Sequence, residues 1–166
     1  MRNVFGFPHP VDEVSARLVA GGVVLLGAAY LATGNRLVLA ALAYGFVARV
    51  LTGPRLSPLG RLVTRVVRPA RGVPPKLVPG PPKRFAQGIG AAFTVTALGL
   101  ALAGQTGGAT VLIAVLVAFA TLESVFAFCM GCTVFGWLMR LGVVPESVCE
   151  ACGDLRTRVG REAPVG

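Results

Sequence analysis

Charged side chains are scarce in this chain of 166 residues. They make up 14% of the sequence, whereas about 25% is usual in soluble domains. Hydrophobic residues make up 54%. So few polar side chains do not cover a water-exposed surface, and the composition therefore excludes an ordinary soluble fold. It favours a protein whose solvent is a lipid bilayer.

Acidic residues are the scarcer of the two charged classes. Seven Asp and Glu stand against sixteen Lys and Arg, which gives a net charge of +9. In a soluble protein this excess would raise the question of nucleic-acid binding, but in so apolar a chain it indicates Lys and Arg held at the cytoplasmic leaflet. We therefore predict the lipid bilayer as the partner and no nucleic acid.

Four apolar stretches are long enough to cross a membrane, since about 20 residues span the hydrocarbon layer. They cover residues 14–33, 36–52, 85–103 and 109–128. The first two are joined by a very short turn, and so are the last two. The sequence therefore predicts an all-α integral membrane protein with four transmembrane helices arranged as two hairpins.

The loop between the two pairs of spans, residues 53–84, contains basic residues and no acidic one. Its basic residues are Arg55, Arg61, Arg65, Arg68, Arg71, Lys76, Lys83 and Arg84. Because Lys and Arg stay on the cytoplasmic side, we predict a multi-pass membrane protein with this loop and both termini in the cytoplasm. The membrane domain is predicted over residues 1–142 and a cytoplasmic cysteine-containing tail over 143–166.

The first part of this loop has the pattern of a short amphipathic helix. Ser57 is a good N-cap, Pro58 suits the first helical position, and apolar residues follow at helical spacing. Such a helix lies in the membrane interface. Three arginines on its polar face are then predicted to bind anionic lipid headgroups: Arg61, Arg65 and Arg68. The alternative is a solvated basic loop.

Six prolines follow between residues 69 and 82. Proline disfavours a helix interior and favours an extended path. We therefore predict a semi-rigid, extended strap between the two pairs of spans.

Two ionisable residues fall inside the predicted spans. Arg49 and Glu123 lie at similar depths near the cytoplasmic ends of the second and fourth spans. Because an ionisable residue within a membrane is costly, it is usually paired or functional. We predict an ion pair between them, acting as a packing lock, with a role in a proton path or a site wall as the alternative.

Small residues recur four apart within the predicted spans. The pairs are Ala28 and Ala32, Ala41 and Gly45, Gly88 and Ala92, and Gly99 and Ala103. Such pairs let helix backbones approach closely. The pattern favours packing within the bundle over a dimer face, and a homo-oligomer stays open.

Cysteine is absent from the first 128 residues and then occurs as two pairs, Cys129-Met-Gly-Cys132 and Cys149-Glu-Ala-Cys152. Two intervening residues place both sulfurs on one face of a helical turn, and Gly131 is expected to let the helix bend there. Pro145 and Gly153 bound a predicted short C-terminal helix that carries the second pair. Four cysteines at this spacing are also typical of a zinc site.

Three interpretations of the cysteines remain open. In the first, the pairs form a thiol-disulfide or sulfur-transfer relay with a soluble thiol partner, such as a thioredoxin-like protein or a sulfurtransferase. In the second, all four thiolates hold a structural zinc ion in a non-enzymatic scaffold or transporter subunit. In the third, they are buried small hydrophobes. The apolar residues around the first pair and the lack of β-hairpins favour the relay, and whether the protein is an enzyme stays open.

Two segments of the sequence resemble a known family. They are Phe-Gly-Phe-Pro-His-Pro-Val-Asp-Glu-Val-Ser-Ala-Arg-Leu near the start and Phe-Cys-Met-Gly-Cys at the end of the fourth span. Together with the two hairpins around a basic loop, they are similar to small bacterial, chiefly actinobacterial, membrane proteins classed as a domain of unknown function, family four-three-nine-five. The resemblance implies an integral, multi-pass protein of the bacterial cytoplasmic (inner) membrane and no established activity.

Overall fold

The computed structural model describes residues 11–72, 74, 76–78 and 80–143, and most of them are helical, as the sequence predicts. The α-helices are α1 (Glu13–Thr33), α2 (Arg36–Thr52), α3 (Pro58–Leu62), α4 (Arg68–Arg71), α5 (Gly80–Leu102), α6 (Thr106–Phe126) and α7 (Met130–Arg140). A 3-10 turn (Gly53–Arg55) follows α2, and a π-helical turn (Val63–Val67) joins α3 to α4. Two short strands, β1 (Val11–Asp12) and β2 (Leu77–Val78), complete the described elements.

Four helical stretches are long and apolar enough to cross a membrane, which confirms the number of predicted spans. They are Glu13–Thr33, Arg36–Ala70, Gly80–Leu102 and Thr106–Phe126. Large apolar side chains on their outer faces have no protein cover. Leu25 is 74% and Leu37 is 79% exposed. An apolar surface of this kind suits lipid, and the chain is therefore a membrane protein.

Helix α5 lies between α2 and α6 and packs against both, while α1 packs against α6 and α2. The core between them contains Leu39, Leu42, Ala97 and Ile113, all fully or almost fully buried. At Gly90 a side-chain carbon would overlap the ring of Phe46. A glycine is therefore required where α5 meets α2.

The small-residue pairs predicted from the sequence lie mostly on exposed faces. Ala28, Ala32, Gly99 and Ala103 are exposed, and an added Cβ on Gly99 would meet nothing within 4 Å. Close helix contacts use other glycines. The predicted role of these four residues in bundle packing is wrong, because the four-residue spacing does not tell which face of a helix meets a neighbour.

The start of α1 is fastened to the segment that precedes α5. Strands β1 and β2 pair antiparallel. The Asp12 carboxylate accepts hydrogen bonds from the Ser15 hydroxyl (2.6 Å) and the Lys76 amide (3.1 Å), and it forms an ion pair with Arg68. Burial alone would raise the pKa of Asp12, but the Ser15 hydroxyl and the Arg68 guanidinium outweigh it and lower the pKa. This carboxylate therefore joins α1, α4 and the strap.

The proline-rich segment is less extended than predicted. Pro69 lies inside α4, and α5 begins at Gly80 rather than at residue 85, with Pro81 and Pro82 in its first turn. Proline is tolerated there because the first backbone N–H groups of a helix have no intrahelical acceptor. The prediction of an extended strap is therefore wrong at both of its ends.

The predicted helix after the second span is present, and Ser57 caps it by accepting from the Gly60 amide at 3.2 Å. Arg61 and Arg65 are exposed. Arg68 is instead turned toward the protein by its ion pair with Asp12. Val63 is 3% exposed, so part of the apolar face packs against the bundle.

Candidate functional site

The first cysteine pair lies at a break between two helices. Helix α6 ends at Phe126, and Ala127 adopts a left-handed backbone conformation with φ 58°. Cys129 is then the N-cap of α7, and its sulfur accepts a hydrogen bond from the Cys132 amide at 3.4 Å. The bend expected at Gly131 is therefore wrong in position, because the chain turns before the pair and Gly131 lies in the first turn of α7.

Gly131 has a packing role instead. It is buried, and a Cβ built on it would lie 2.5 Å from Ala86 Cβ and 2.6 Å from Ala86 Cα. The backbone atom cannot move without shifting α5. Glycine at this position therefore allows α7 to lie against α5, which holds the cysteine pair at the bundle.

We expect Gly131→Ala to destabilise the protein by about 1–3 kcal/mol, because the added methyl group overpacks the contact between α5 and α7. Gly136→Ala is the matched control in the same helix, since a Cβ there meets nothing within 4 Å. It should be neutral or stabilising by up to about 1 kcal/mol through helix propensity. Unfolding followed by circular dichroism in detergent measures both. Equal effects would contradict the packing role of Gly131.

Each of the two thiols affects the ionisation of the other. The Cys132 thiol, as hydrogen-bond donor, lowers the pKa of Cys129, and the nearby Lys83 ammonium acts in the same direction, while burial and Glu123 oppose them. The same hydrogen bond, together with burial, raises the pKa of Cys132. Cys129 is 8% exposed. The pair therefore favours a thiolate on Cys129 and a protonated thiol on Cys132.

A buried ion pair lies beside this pair of thiols. Lys83 Nζ is 2.5 Å from Glu123 Oε1, and the side chains are 9% and 16% exposed. The sequence predicts Arg49 as the partner of Glu123, but among the ion pairs of the described residues Glu123 is joined to Lys83. The reason is the position of α5, which separates α2 from α6 and supplies the closer cation.

Arg49 is buried elsewhere in the same end of the bundle. It is 5% exposed, its Nε donates to Gln87 Oε1 at 2.8 Å, and its Nη1 donates to Ser57 Oγ at 3.1 Å. Its Cζ lies 4.4 Å from the centre of the Phe46 ring, in cation–π geometry. Arg49 is thus held by polar neutral groups and an aromatic ring.

Sequence reasoning missed Lys83 and Gln87 as members of the site, having assigned Lys83 to the loop. Their spacing was the available signal. Residues four apart lie on one face of a helix, and both belong to α5 once that helix is extended to Gly80. Together they place an ammonium group and an amide between the cysteine pair and Arg49.

Two cavities meet at Gln87. The first, here called the thiol cavity, has a volume of about 300 Å³, and its wall includes Gln87, Glu123 and Cys129 among apolar side chains. The second, here called the basic vestibule, has a volume of about 440 Å³. Its charged and amide lining groups are Asp12, Arg49, Arg68, Lys83 and Gln87. Both walls are mainly apolar, but most of the charged side chains line the vestibule, and Cys129 lines the cavity beside it.

The remaining predicted site residues, Cys149 and Cys152, lie outside the described residues. Within the part that is described, no three His, Cys, Asp or Glu side chains come together as a possible metal-binding group. A four-cysteine centre requires the second pair, so the geometry described here concerns only Cys129 and Cys132.

Comparison with known proteins gives one family. No curated protein and no solved structure matches the chain. A family model described as "Domain of unknown function (DUF4395)" matches residues 11–140, which include all four spans and the first cysteine pair. The chain therefore belongs to the DUF4395 family.

Proposed function

We propose that the protein is a membrane-bound thiol-disulfide or sulfur-transfer centre that serves a soluble thiol partner, with Cys129 as the attacking thiolate and Cys132 as the resolving thiol. The observation that carries the proposal is the placement of the two cysteines in the first turn of α7, where the Cys129 sulfur accepts a hydrogen bond from the Cys132 amide. A thiolate, not a thiol, is the nucleophile in exchange.

The electrostatics around Cys129 support this assignment. A helix N-terminus favours negative charge, and Cys129 caps the 11-residue helix α7. Lys83 favours the thiolate, but Glu123 opposes it more strongly, so the lowered pKa of Cys129 comes mainly from its interaction with Cys132. These groups make Cys129 the better nucleophile of the pair, while the higher pKa of Cys132 keeps it protonated until it is needed.

The exchange proceeds in two balanced steps. The Cys129 thiolate forms a bond to one sulfur of a partner disulfide, and the other partner sulfur leaves as a thiolate. Cys132 then gives up its proton and attacks the Cys129 sulfur, which releases the remaining partner thiolate and forms the Cys129–Cys132 disulfide. The partner disulfide is reduced by two electrons, and a soluble dithiol reverses the sequence.

The location of the partner follows from charge. The site lies at the end of the bundle where α1 and α5 begin and α2 and α6 end, which we call the basic end because it carries the arginines and lysines of residues 53–84. By the positive-inside rule we assign this end to the cytoplasm, with two antiparallel pairs of spans in a bacterial cytoplasmic membrane. In this proposal Cys149 and Cys152 pass the exchange on to the cytoplasmic partner.

A redox titration tests the proposal. Full-length protein carrying Cys149→Ser and Cys152→Ser should lose and regain two thiols reversibly in glutathione buffers of varied redox ratio. Adding Cys132→Ser should trap a glutathione mixed disulfide on Cys129, because the resolving thiol is gone. With Cys129→Ser in its place, little mixed disulfide should form on Cys132.

The zinc alternative gives the opposite pattern in the unmodified protein. About one zinc ion per chain, with four thiols that are alkylated only after chelation, would show a structural metal site and contradict the exchange centre.

A further inference from the structure

The basic vestibule contains one buried cation, Arg49, that has no carboxylate in direct contact within the described part of the chain, although Glu123 attracts it at longer range. Asp12 pairs with Arg68, and Glu123 pairs with Lys83. Among the described residues, no carboxylate lies at ion-pair distance from Arg49. Arg49 is nevertheless only 5% exposed. Burial of a cation without a counter-ion in contact is costly, and this cost is offset when an anion occupies the adjoining space.

The guanidinium of Arg49 also has unused donors. It carries five N–H groups, of which one donates to Gln87 and one donates to Ser57. Arg49 lines the vestibule. A planar guanidinium with free N–H groups matches the geometry of a carboxylate, sulfate or phosphate group, which it binds through two parallel hydrogen bonds.

The neighbours of Arg49 fix its position. Ser57 is fully buried and simultaneously caps α3, Gln87 is held on α5, and the Phe46 ring lies against the guanidinium. A side chain held from three elements is preorganised for a ligand, so little rotamer freedom remains to be lost when an anion binds.

We propose that the basic vestibule binds the oxyanion group of a small sulfur compound, through Arg49, and presents that compound to Cys129. This inference rests on the proposed thiol chemistry and names the substrate class for it. The vestibule volume of about 440 Å³ suits a small metabolite. Gln87 contacts Arg49 and lines both cavities, so a ligand anchored at Arg49 extends past Gln87 toward the thiol cavity.

Two alkylating reagents test the proposal at Cys129. Iodoacetate carries a carboxylate and iodoacetamide is its neutral analogue, and each transfers its carbon to the thiolate with loss of iodide. In the unaltered chain, sulfate should slow alkylation of Cys129 by iodoacetate and leave iodoacetamide unaffected. Peptide mass spectrometry assigns the label to Cys129.

Variants of Arg49 sharpen the comparison. Arg49→Gln should lower the iodoacetate-to-iodoacetamide rate ratio by about tenfold or more, since a hydrogen-bonded charge is lost. Arg49→Lys should keep part of the ratio. Arg36→Gln, which removes an exposed arginine that does not line the vestibule, should leave the ratio within about twofold. An unchanged ratio in Arg49→Gln, or no competition by sulfate, overturns the proposal.

Direct sulfate binding separates this inference from the thiol chemistry. Equilibrium dialysis with radiolabelled sulfate should give one site per chain in the unaltered protein and none in Arg49→Gln. If sulfate binds but Cys129 is unreactive, the proposed thiol function is wrong and the anion site is still supported. If phosphatidylglycerol vesicles displace the sulfate while the alkylation ratio does not depend on Arg49, the ligand is a lipid headgroup and the substrate assignment is wrong.

Discussion

Lys83→Met is expected to destabilise the bundle by about 3 kcal/mol or more. The substitution leaves the Glu123 carboxylate, whose side chain is 16% exposed, beside α5 without its cation. Breaking a buried ion pair by removing one partner is strongly destabilising because the other charge stays buried and uncompensated. Detergent-solubilised protein unfolded with increasing dodecyl sulfate, and followed by circular dichroism, measures the loss.

Two further variants separate the cost of an unpaired charge from a general effect of losing lysine. Lys76→Met breaks the ion pair between Lys76 and Glu13, in which the lysine side chain is 73% exposed, and it should cost less than about 1 kcal/mol. The double variant Lys83→Met with Glu123→Leu removes both buried charges and should recover most of the stability. A cost for Lys83→Met as small as that for Lys76→Met would contradict the buried pair.

The pH profile of Cys129 alkylation is expected to move upward when its hydrogen-bond donor is removed. Because the Cys132 thiol, followed by Lys83, lowers the pKa of Cys129, the thiolate should appear at a lower pH than in an ordinary cysteine. The alkylation rate follows the thiolate fraction. In Cys132→Ala the midpoint of the rate should therefore rise toward the ordinary value, with slower alkylation at neutral pH. The measurement uses iodoacetamide on full-length protein that also carries Cys149→Ser and Cys152→Ser.

Cys132→Ser is the matched control for this shift, since its hydroxyl is also a hydrogen-bond donor. Its midpoint should stay nearer to that of the unaltered pair than the midpoint of Cys132→Ala does. If both variants leave the midpoint unchanged, the Cys132 side chain does not control the ionisation of Cys129.

The four spans could be predicted from the sequence because length and apolar composition alone decide whether a helix can cross a membrane. Helix α2 has the predicted bounds, Arg36 and Thr52, since Asn35 and Gly53 are clear boundary residues, although the apolar helical stretch continues to Ala70. The third differs because prolines suggested an extended chain, whereas Pro81 and Pro82 occupy a first helical turn. To predict where a helix starts, the position of each proline must therefore be considered, and not only the number of prolines.

The candidate site could be predicted only in part. The Cys129–Cys132 spacing identified the chemically specific residues, but the depth of Arg49 and Glu123 along their helices carried no information on which helix lies between them. Helix α5 lies between the two helices. Its Lys83 pairs with Glu123, and its Gln87 accepts a hydrogen bond from Arg49. The break at Ala127 was equally hidden, because a non-glycine residue takes the left-handed conformation there.

Quantifying thiols and zinc in the same sample of full-length protein tests the central claim most directly. We expect a metal-free chain in which mild oxidation joins Cys129 to Cys132, with a loss of two hydrogens from the peptide that carries both. A soluble dithiol should then restore the thiols. One zinc ion per chain, together with thiols that neither oxidise nor react until the metal is chelated, would contradict it.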